Sequence, residues 1–297
     1  MTADWLSDRS GAEVRFKLEN VQRTGSFKVR GATHALLCLP SDRRARGVVA
    51  ASSGNHGLGL AAAARRLDVP ALVFVPETTP AEKRAAIADQ GAEVRVHGAD
   101  CVDTEAHARR FAATDGRHYV SPYNDADVIA GQGTVAVELL EQWRDVQRLY
   151  VAVGGGGLIS GMAAWARRIV PDIEIVGCSP AASPAMAECV RVGRIHDVEC
   201  GETLSDSTAG GVEAGAITYP LCRDLVDRFV DVDEDAIARA LIATLEHQHL
   251  LVEGAAAVAV AGLLADVAAG RPARRSAVVI CGGNLPLATL RRVLGSH

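Results

Sequence analysis

The sequence predicts an α/β protein with a mainly parallel sheet and helices on both of its faces. Three observations carry that expectation. Short β-branched runs alternate with alanine-rich runs of helical length. Glycine- and serine-rich turns follow several of the β runs. The composition is that of an ordinary globular chain: 297 residues, 48% hydrophobic and 23% charged. Alternation of this kind implies crossover connections, which join parallel strands and lay helices over the sheet. Ligands in such sheets lie at the carboxyl ends of strands, so the turns there are the place to search.

The elements follow in order. A helix is expected near Trp5–Ser10. Val48-Val49-Ala50 reads as a strand leading to a helix near Leu58–Leu67. Ala71–Val75 is a second strand, followed by a helix over Pro80–Gln90. Pro80 suits the start of that helix and Gly91 its end. Glu93–Val96 precedes a helix over Thr104–Thr114. Leu149–Val153 runs through glycines into a helix near Leu158–Ile169, and Glu174–Gly177 is another strand. Helices near Glu234–Gln248 and Ala255–Val267 precede the last strand, Ala277–Ile280.

Composition excludes several classes of function. A net charge of -5 gives no basic face for nucleic acid and no attraction to anionic lipid. No apolar stretch is long enough to span a bilayer, and no apolar leader opens the chain. The seven cysteines are scattered, without a CxxC pair, which reads as buried thiols of a cytoplasmic protein and argues against a disulfide framework or a zinc site. The nine histidines show no metal spacing; His247 and His249 sit two apart in a helical run and face different ways.

Lys28 stands in Thr24-Gly25-Ser26-Phe27-Lys28-Val29-Arg30-Gly31-Ala32, between an aromatic and a β-branched residue. A lysine in a partly apolar, glycine-flanked pocket loses hydration, which frees its amine to attack carbonyls. Most lysines are solvated surface charges, so the pattern gains weight only from two turns further on. Gly154-Gly155-Gly156-Gly157 follows an apolar strand and opens a helix. Successive glycines turn backbone N–H groups toward one point, and the helix start adds positive potential, which together cradle phosphate. A tight strand-to-helix turn needs only one or two glycines. The run is not a P-loop, and Ser160 occupies the third glycine place of a GxGxxG.

Ser52-Ser53-Gly54-Asn55-His56-Gly57 also follows a strand and opens a helix. Its side chains and N–H groups suit a carboxylate, and equally a capping turn. Gly57-Leu58-Gly59-Leu60-Ala61-Ala62 offers a competing nucleotide fingerprint, with Glu77 some twenty residues on. Cys281-Gly282-Gly283-Asn284 ends the last strand, where a small thiol can meet a flat ligand edge-on or simply be buried. An aldehyde cofactor with a phosphate, meeting an amino acid with a carboxylate, needs this inventory.

With these motifs, and with Lys17–Asn20 (KLEN) and Val128–Thr134 (VIAGQGT), the chain resembles the fold-type II pyridoxal-phosphate enzymes (tryptophan synthase β-like), specifically the threonine/serine dehydratase and serine racemase family. The similarity runs from about Leu6 to Leu294. It implies two lobes, each a mainly parallel twisted sheet flanked by helices: a large cofactor-binding lobe of residues 1–38 and 125–297, and a small lobe of 39–124 bearing the carboxylate turn. It implies that Lys28 is the Schiff-base lysine of pyridoxal 5'-phosphate and the base for the substrate's Cα proton. Phe27 then flanks the cofactor, Asn55 bonds its ring hydroxyl, and Gly154, Gly155, Gly156, Gly157 and Leu158 hold its phosphate. Cys281 faces the ring nitrogen. Ser52, Ser53, Gly54, Asn55 and His56 take the substrate carboxylate, and Ser53 matches the second-face acid/base of racemases. The implied reaction is β-elimination from a β-hydroxy amino acid such as L-threonine or L-serine, giving a 2-keto acid and ammonia, by a cytoplasmic homodimer or homotetramer.

The chain departs from the family in places. Family members begin with a further helix and strand, and some add a regulatory domain after the segment matching Pro286–Leu294, so control of that kind is not expected. Racemase-type members bind a cation through acids after the strand matching Glu174–Cys178. Ser179–Ala185 has no carboxylate, so no such metal site is expected. Ser205–Glu213 differs from the family's Ala-Asp-Gly run and is expected near the cofactor, leaving the substrate side chain open. Tyr123 and Asn124 are candidates for shaping the pocket, or ordinary loop packing. Glu253 reads as a supporting carboxylate or as a helix-start acid. Racemisation is the nearest rival activity. β-Replacement is disfavoured by Cys281 and the SSGNHG turn, and a non-catalytic nucleotide binder would use Gly57–Ala62.

Overall fold

In the computed structural model the chain, described for residues 1–295, forms two compact units. One unit comprises Met1–Val21 and the chain from Gly133 onward; the other is Gln22–Gln132. In chain order the elements of the first segment are α1 (Asp4–Ser10) and β1 (Val14–Leu18). The second unit follows with α2 (Lys28–Cys38), α3 (Ser41–Arg46), β2 (Val48–Ala51), α4 (Asn55–Leu67), β3 (Ala71–Val75), α5 (Ala81–Asp89), β4 (Glu93–Val96), α6 (Cys101–Asp115) and β5 (His118–Tyr119). Helix α7 (Ala126–Gln142) leads back into the first unit, which continues with β6 (Arg148–Ala152), α8 (Gly157–Ile169), β7 (Glu174–Pro180), α9 (Ala185–Val192), α10 (Thr218–Leu225), β8 (Arg228–Val232), α11 (Glu234–Gln248), α12 (Gly254–Ala268), β9 (Ser276–Ile280) and α13 (Leu287–Gly295).

Both sheets are parallel, as the alternating pattern requires. The first unit holds five strands in the order β1-β9-β6-β7-β8, the second four in the order β4-β3-β2-β5. The central strands β3, β6 and β9 are buried at every residue, which is why they read as continuous apolar runs. Strands β1, β5 and β8 carry no such run and were not expected from the sequence. All three are sheet edges, and their exposed or mixed faces admit Arg15, Lys17, His118, Arg228 and Asp231.

The expected lobes, with boundaries at 38/39 and 124/125, differ from the observed division in where α2 and the start of α7 fall. Helix α2 lies along α4, and Gly59 explains how closely. A Cβ there would sit 2.9 Å from Val29 N and 3.2 Å from Lys28 Cβ. Gly57 likewise faces the Ser52 carbonyl, 2.6 Å from where its Cβ would be. Both glycines are buried inside α4, so the Gly57–Ala62 pattern serves helix packing and does not form an open nucleotide turn.

The amino-terminal edge of the five-stranded sheet is tied by charge. Arg148 donates to Glu174 at 2.7 Å, Arg228 donates to both Glu174 (3.0 Å) and Asp266, and the Tyr150 hydroxyl donates to Asp266 at 2.6 Å. Burial alone would raise the Glu174 carboxyl, but hydrogen bonds from the two guanidinium groups outweigh it and hold the group below its ordinary value. Asp266 is 5% exposed. Replacing it by alanine removes the acceptor of the Tyr150 hydroxyl and one of the two carboxylates on Arg228, and urea unfolding is expected to show a loss of about 2 kcal/mol.

Candidate functional site

Each sheet has one place where its strand order reverses. In the second unit the chain steps from β2 outward to β3 and β4, while β5 lies on the other side of β2. In the first it steps from β6 to β7 and β8, with β9 on the other side of β6. Crevices open at the carboxyl ends of strands at such points. The turns after β2 and β5, and after β6 and β9, hold nearly all the residues expected from the sequence.

In the second unit, Lys28 is the first residue of α2. Its Nζ donates to the Pro122 carbonyl, just past β5, at 2.9 Å and stands 5.2 Å from the Phe27 ring centre. Ahead of it Thr24 is held at φ 67°, a left-handed conformation that costs a β-branched residue of order 1–3 kcal/mol and marks a constrained approach to the lysine. The Ser26 hydroxyl is fully buried and has no partner among the described residues. After β2, Ser52 Oγ accepts from Gly54 N at 3.2 Å, and α4 begins at Asn55. Its first-turn N–H groups have no intrahelical acceptors. Ser52, Ser53, Gly54 and Asn55 are half-buried, open enough to meet a small ligand.

His56 is 3% exposed, and its Nε2 lies 2.9 Å from the Val120 carbonyl. A carbonyl only accepts, so Nε2 carries the hydrogen and Nδ1 keeps its lone pair. That Nδ1 is buried and unpartnered among the described residues. Burial, and then the Lys28 charge, hold the ring down to about 3, so it is neutral at working pH. Tyr123 N and Asn124 N donate to Ser121 Oγ at 3.5 and 3.0 Å, which folds the turn that presents the Pro122 carbonyl.

In the first unit the glycine turn leads from β6 into α8. Gly156 sits at φ +84°, and a Cβ there would also lie 2.8 Å from Cys222 Sγ, so glycine is required twice over. A Cβ on Gly154 would lie 2.9 Å from Thr208 Cα, which brings the 206–208 turn against the glycines. Residues Gly156–Ser160 are buried, so the free N–H groups at the start of α8 lie out of bulk water. Ser160, in the third glycine place, is fully buried with its Oγ 3.5 Å from Cys222 Sγ.

Cys281 follows β9 and is 2% exposed. Behind it Glu253 is the residue before α12, yet its carboxylate makes no cap. It accepts from Ser207 Oγ at 3.0 Å and Asn284 N at 3.2 Å. A Cβ on Gly282 would lie 2.6 Å from that carboxylate. Glu253 therefore ties the 206–208 turn to the end of β9.

Two expectations are corrected. The cysteines are not uniformly buried: Cys38 and Cys101 are exposed. His249 lies beyond the end of α11, as its left-handed cap, and only His247 is helical. The structure also brings together His34, Cys38 and Asp127, a group the sequence reading missed. The one available signal was the His34/Cys38 spacing of four on a helix; Asp127 lies far along the chain. No helix among the described residues is long and apolar enough to cross a membrane.

An amine at the head of α2 in one unit, and a phosphate-type turn and a thiol at strand ends in the other, are the groups of a class that works through an aldehyde cofactor. The chain belongs to the family described as pyridoxal-phosphate dependent enzyme, which it matches over residues 1–282. It is 41% identical to the L-threonine ammonia-lyase of Geobacter sulfurreducens over 293 residues, 97% of this chain and 71% of that one. The processed threonine deaminase isoform 2 of Solanum lycopersicum superposes with a TM-score of 0.94 at 32% identity, covering 99% of this chain and 85% of that one. Maize serine racemase superposes with a TM-score of 0.93 at 32% identity, covering 100% and 91%.

The residues present fit pyridoxal phosphate. The buried start of α8 needs an anion for its N–H groups. The Lys28 amine suits an aldehyde, and the buried Ser26 hydroxyl has no hydrogen-bond partner among the described residues.

A buried neutral His56 also has a pH consequence. Its folded pKa lies below the unfolded value of 6.5, so its contribution is present above pH 6.5 and is lost as pH falls toward 3. Urea unfolding over that window should show the native chain losing up to ~1.4 kcal/mol per pH unit more than His56→Gln.

Proposed function

We propose that the protein is a pyridoxal-phosphate-dependent ammonia-lyase that converts a β-hydroxy amino acid such as L-threonine or L-serine to a 2-keto acid and ammonia. The observation that carries this reading is the Lys28 amine, presented at the head of α2 beside the Phe27 ring and against a neutral, buried His56. Pyridoxal phosphate, when bound, supplies an aldehyde for amines and a conjugated ring that draws electron density from the substrate's Cα. Gly154, Gly155, Gly156, Gly157 and Leu158 would hold its phosphate through backbone N–H groups, Asn55 its ring hydroxyl, and Lys28 its aldehyde carbon.

The rest is work for the chain's own groups. Ser52, Ser53, Gly54, Asn55 and His56 receive the substrate carboxylate, through hydroxyls and the N–H groups of the α4 start. Neutral His56 adds no competing charge to that turn. With its amine uncharged, Lys28 Nζ is the base for the Cα proton. A thiol is neutral near pH 7, so Cys281 does not keep a ring nitrogen protonated as an aspartate would. Less charge is then drawn away from Cα, which favours expulsion of the β-hydroxyl. Glu253, through Ser207 and Asn284, ties the 206–208 turn to the segment that follows Cys281.

The division of roles by unit, a cytoplasmic location and a homodimeric or homotetrameric state belong to the same proposal. Racemisation is a second reading, favoured by Ser53 on the carboxylate turn and by the maize serine racemase likeness. The test is a keto-acid assay of the cofactor-loaded protein over L-threonine, L-serine and bulkier β-hydroxy amino acids, with chiral chromatography of the remaining substrate. Keto acid should form from at least one of them. Lys28→Ala should lower turnover by several orders of magnitude and abolish the pyridoxyl tag that borohydride leaves on position 28. A tag on another lysine, or full turnover by the variant, would overturn the assignment. Ser53→Ala should lower the formation of D-amino acid far more than it lowers elimination.

A further inference from the structure

Helices α2 and α7 cross where each carries a glycine. A Cβ on Gly31 would overlap Gln132 Nε2, and one on Gly131 would lie 2.6 Å from Gly31 Cα and 2.7 Å from His34 Cβ. This close crossing sets one side of α2 against the first turn of α7. His34 and Cys38 stand one helical turn apart on α2, and Asp127 is in the first turn of α7. One ligand atom from each lies within 4.8 Å of the other two.

The imidazole is already oriented. His34 Nδ1 lies 2.7 Å from the Asp127 main-chain carbonyl, so Nδ1 carries the hydrogen and Nε2 keeps its lone pair. Metal-bound histidines are held this way, the second nitrogen donating to a carbonyl or carboxylate. The Cys38 Sγ is 3.8 Å from that Nε2 and 3.7 Å from Nδ1. Nitrogen at ~2.0 Å and sulfur at ~2.3 Å on one tetrahedral zinc ion stand about 3.5 Å apart. Binding one ion takes side-chain rotation that turns the His34 Nε2 lone pair and the Cys38 Sγ toward a common point.

We propose that His34, Cys38 and Asp127 form a binding site for a thiophilic divalent cation of the zinc type, which ties the helix bearing Lys28 to the start of α7. A nitrogen, a sulfur and an oxygen donor suit zinc, whereas magnesium and calcium take oxygen sets. Three protein ligands leave the fourth position to water. Cys38 and Asp127 are exposed and His34 is half-buried, so the ion reaches the site directly from solution. Coordination takes the thiolate, so each bound cation releases the Cys38 thiol proton to solvent, with no change of oxidation state.

Equilibrium dialysis of the cofactor-loaded protein against micromolar Zn²⁺, beside Cys38→Ser, His34→Gln and Asp127→Asn, tests the site. The native protein should bind one zinc ion per chain here, and each variant should lose it or bind it roughly tenfold or more weakly. Zn²⁺ should also shield Cys38 from iodoacetamide while leaving the exposed Cys101 reactive, as read by peptide mapping. No zinc on the native protein, or binding unchanged in all three variants, would overturn the proposal.

Discussion

A helix that starts inside a protein leaves backbone N–H groups pointing at nothing, and each such group costs about 1–3 kcal/mol if it stays unpaired. Helix α8 starts inside the protein, behind a glycine turn whose residues from Gly156 onward are buried. Helix α4 also starts in a partly covered place, with His56 and Gly57 buried. Both helix starts therefore call for anionic partners, and much of the surrounding structure serves them. The 206–208 turn leans on Gly154, Cys222 lies against Gly156, and Ser160 is bound beneath. A phosphate and a carboxylate are the two anions that the proposed chemistry brings.

Strand order decides where those helix starts lie. Both sheets reverse direction once, β2 beside β5 and β6 beside β9, and the turns at these four strand ends carry the candidate groups. Lysine 28 is the exception, since it comes from no strand end. It is delivered by α2, whose close run along α4 depends on the missing side chain of Gly59. The amine then meets the turn after β5 through Pro122, and the imidazole of His56 meets the same turn through Val120. One short segment after β5 thus positions both the base and the neutral ring beside it.

How much of this could be read from the chain follows from what buries what. Central strands are apolar at every position because both faces are covered, so Ala71–Val75, Leu149–Val153 and Ala277–Ile280 were legible. Edge strands β1, β5 and β8 were not, because a half-covered strand tolerates charge and loses its apolar run. The glycine turns were legible because so many glycines in a row exceed what a turn needs. The functions of Gly57 and Gly59 were not, since a packing glycine and a ligand-cradling glycine look the same in one dimension. Glu253 was identified as a carboxylate of interest, but its partners Ser207 and Asn284 appear only in three dimensions. The His34–Cys38–Asp127 group was hidden because its third member is separated by most of the second unit.

The charged lattice of Arg148, Glu174, Arg228 and Asp266 occupies the amino-terminal edge of the large sheet, at the opposite ends of the strands from the glycine turn and Cys281. Rigidity and chemistry are thereby assigned to opposite rims of one sheet. Loops on the reactive rim can diversify through substitution, and with them the range of substrates accepted, while the far rim keeps the scaffold folded. A lineage built on this plan explores new specificities without first having to acquire a sturdier framework.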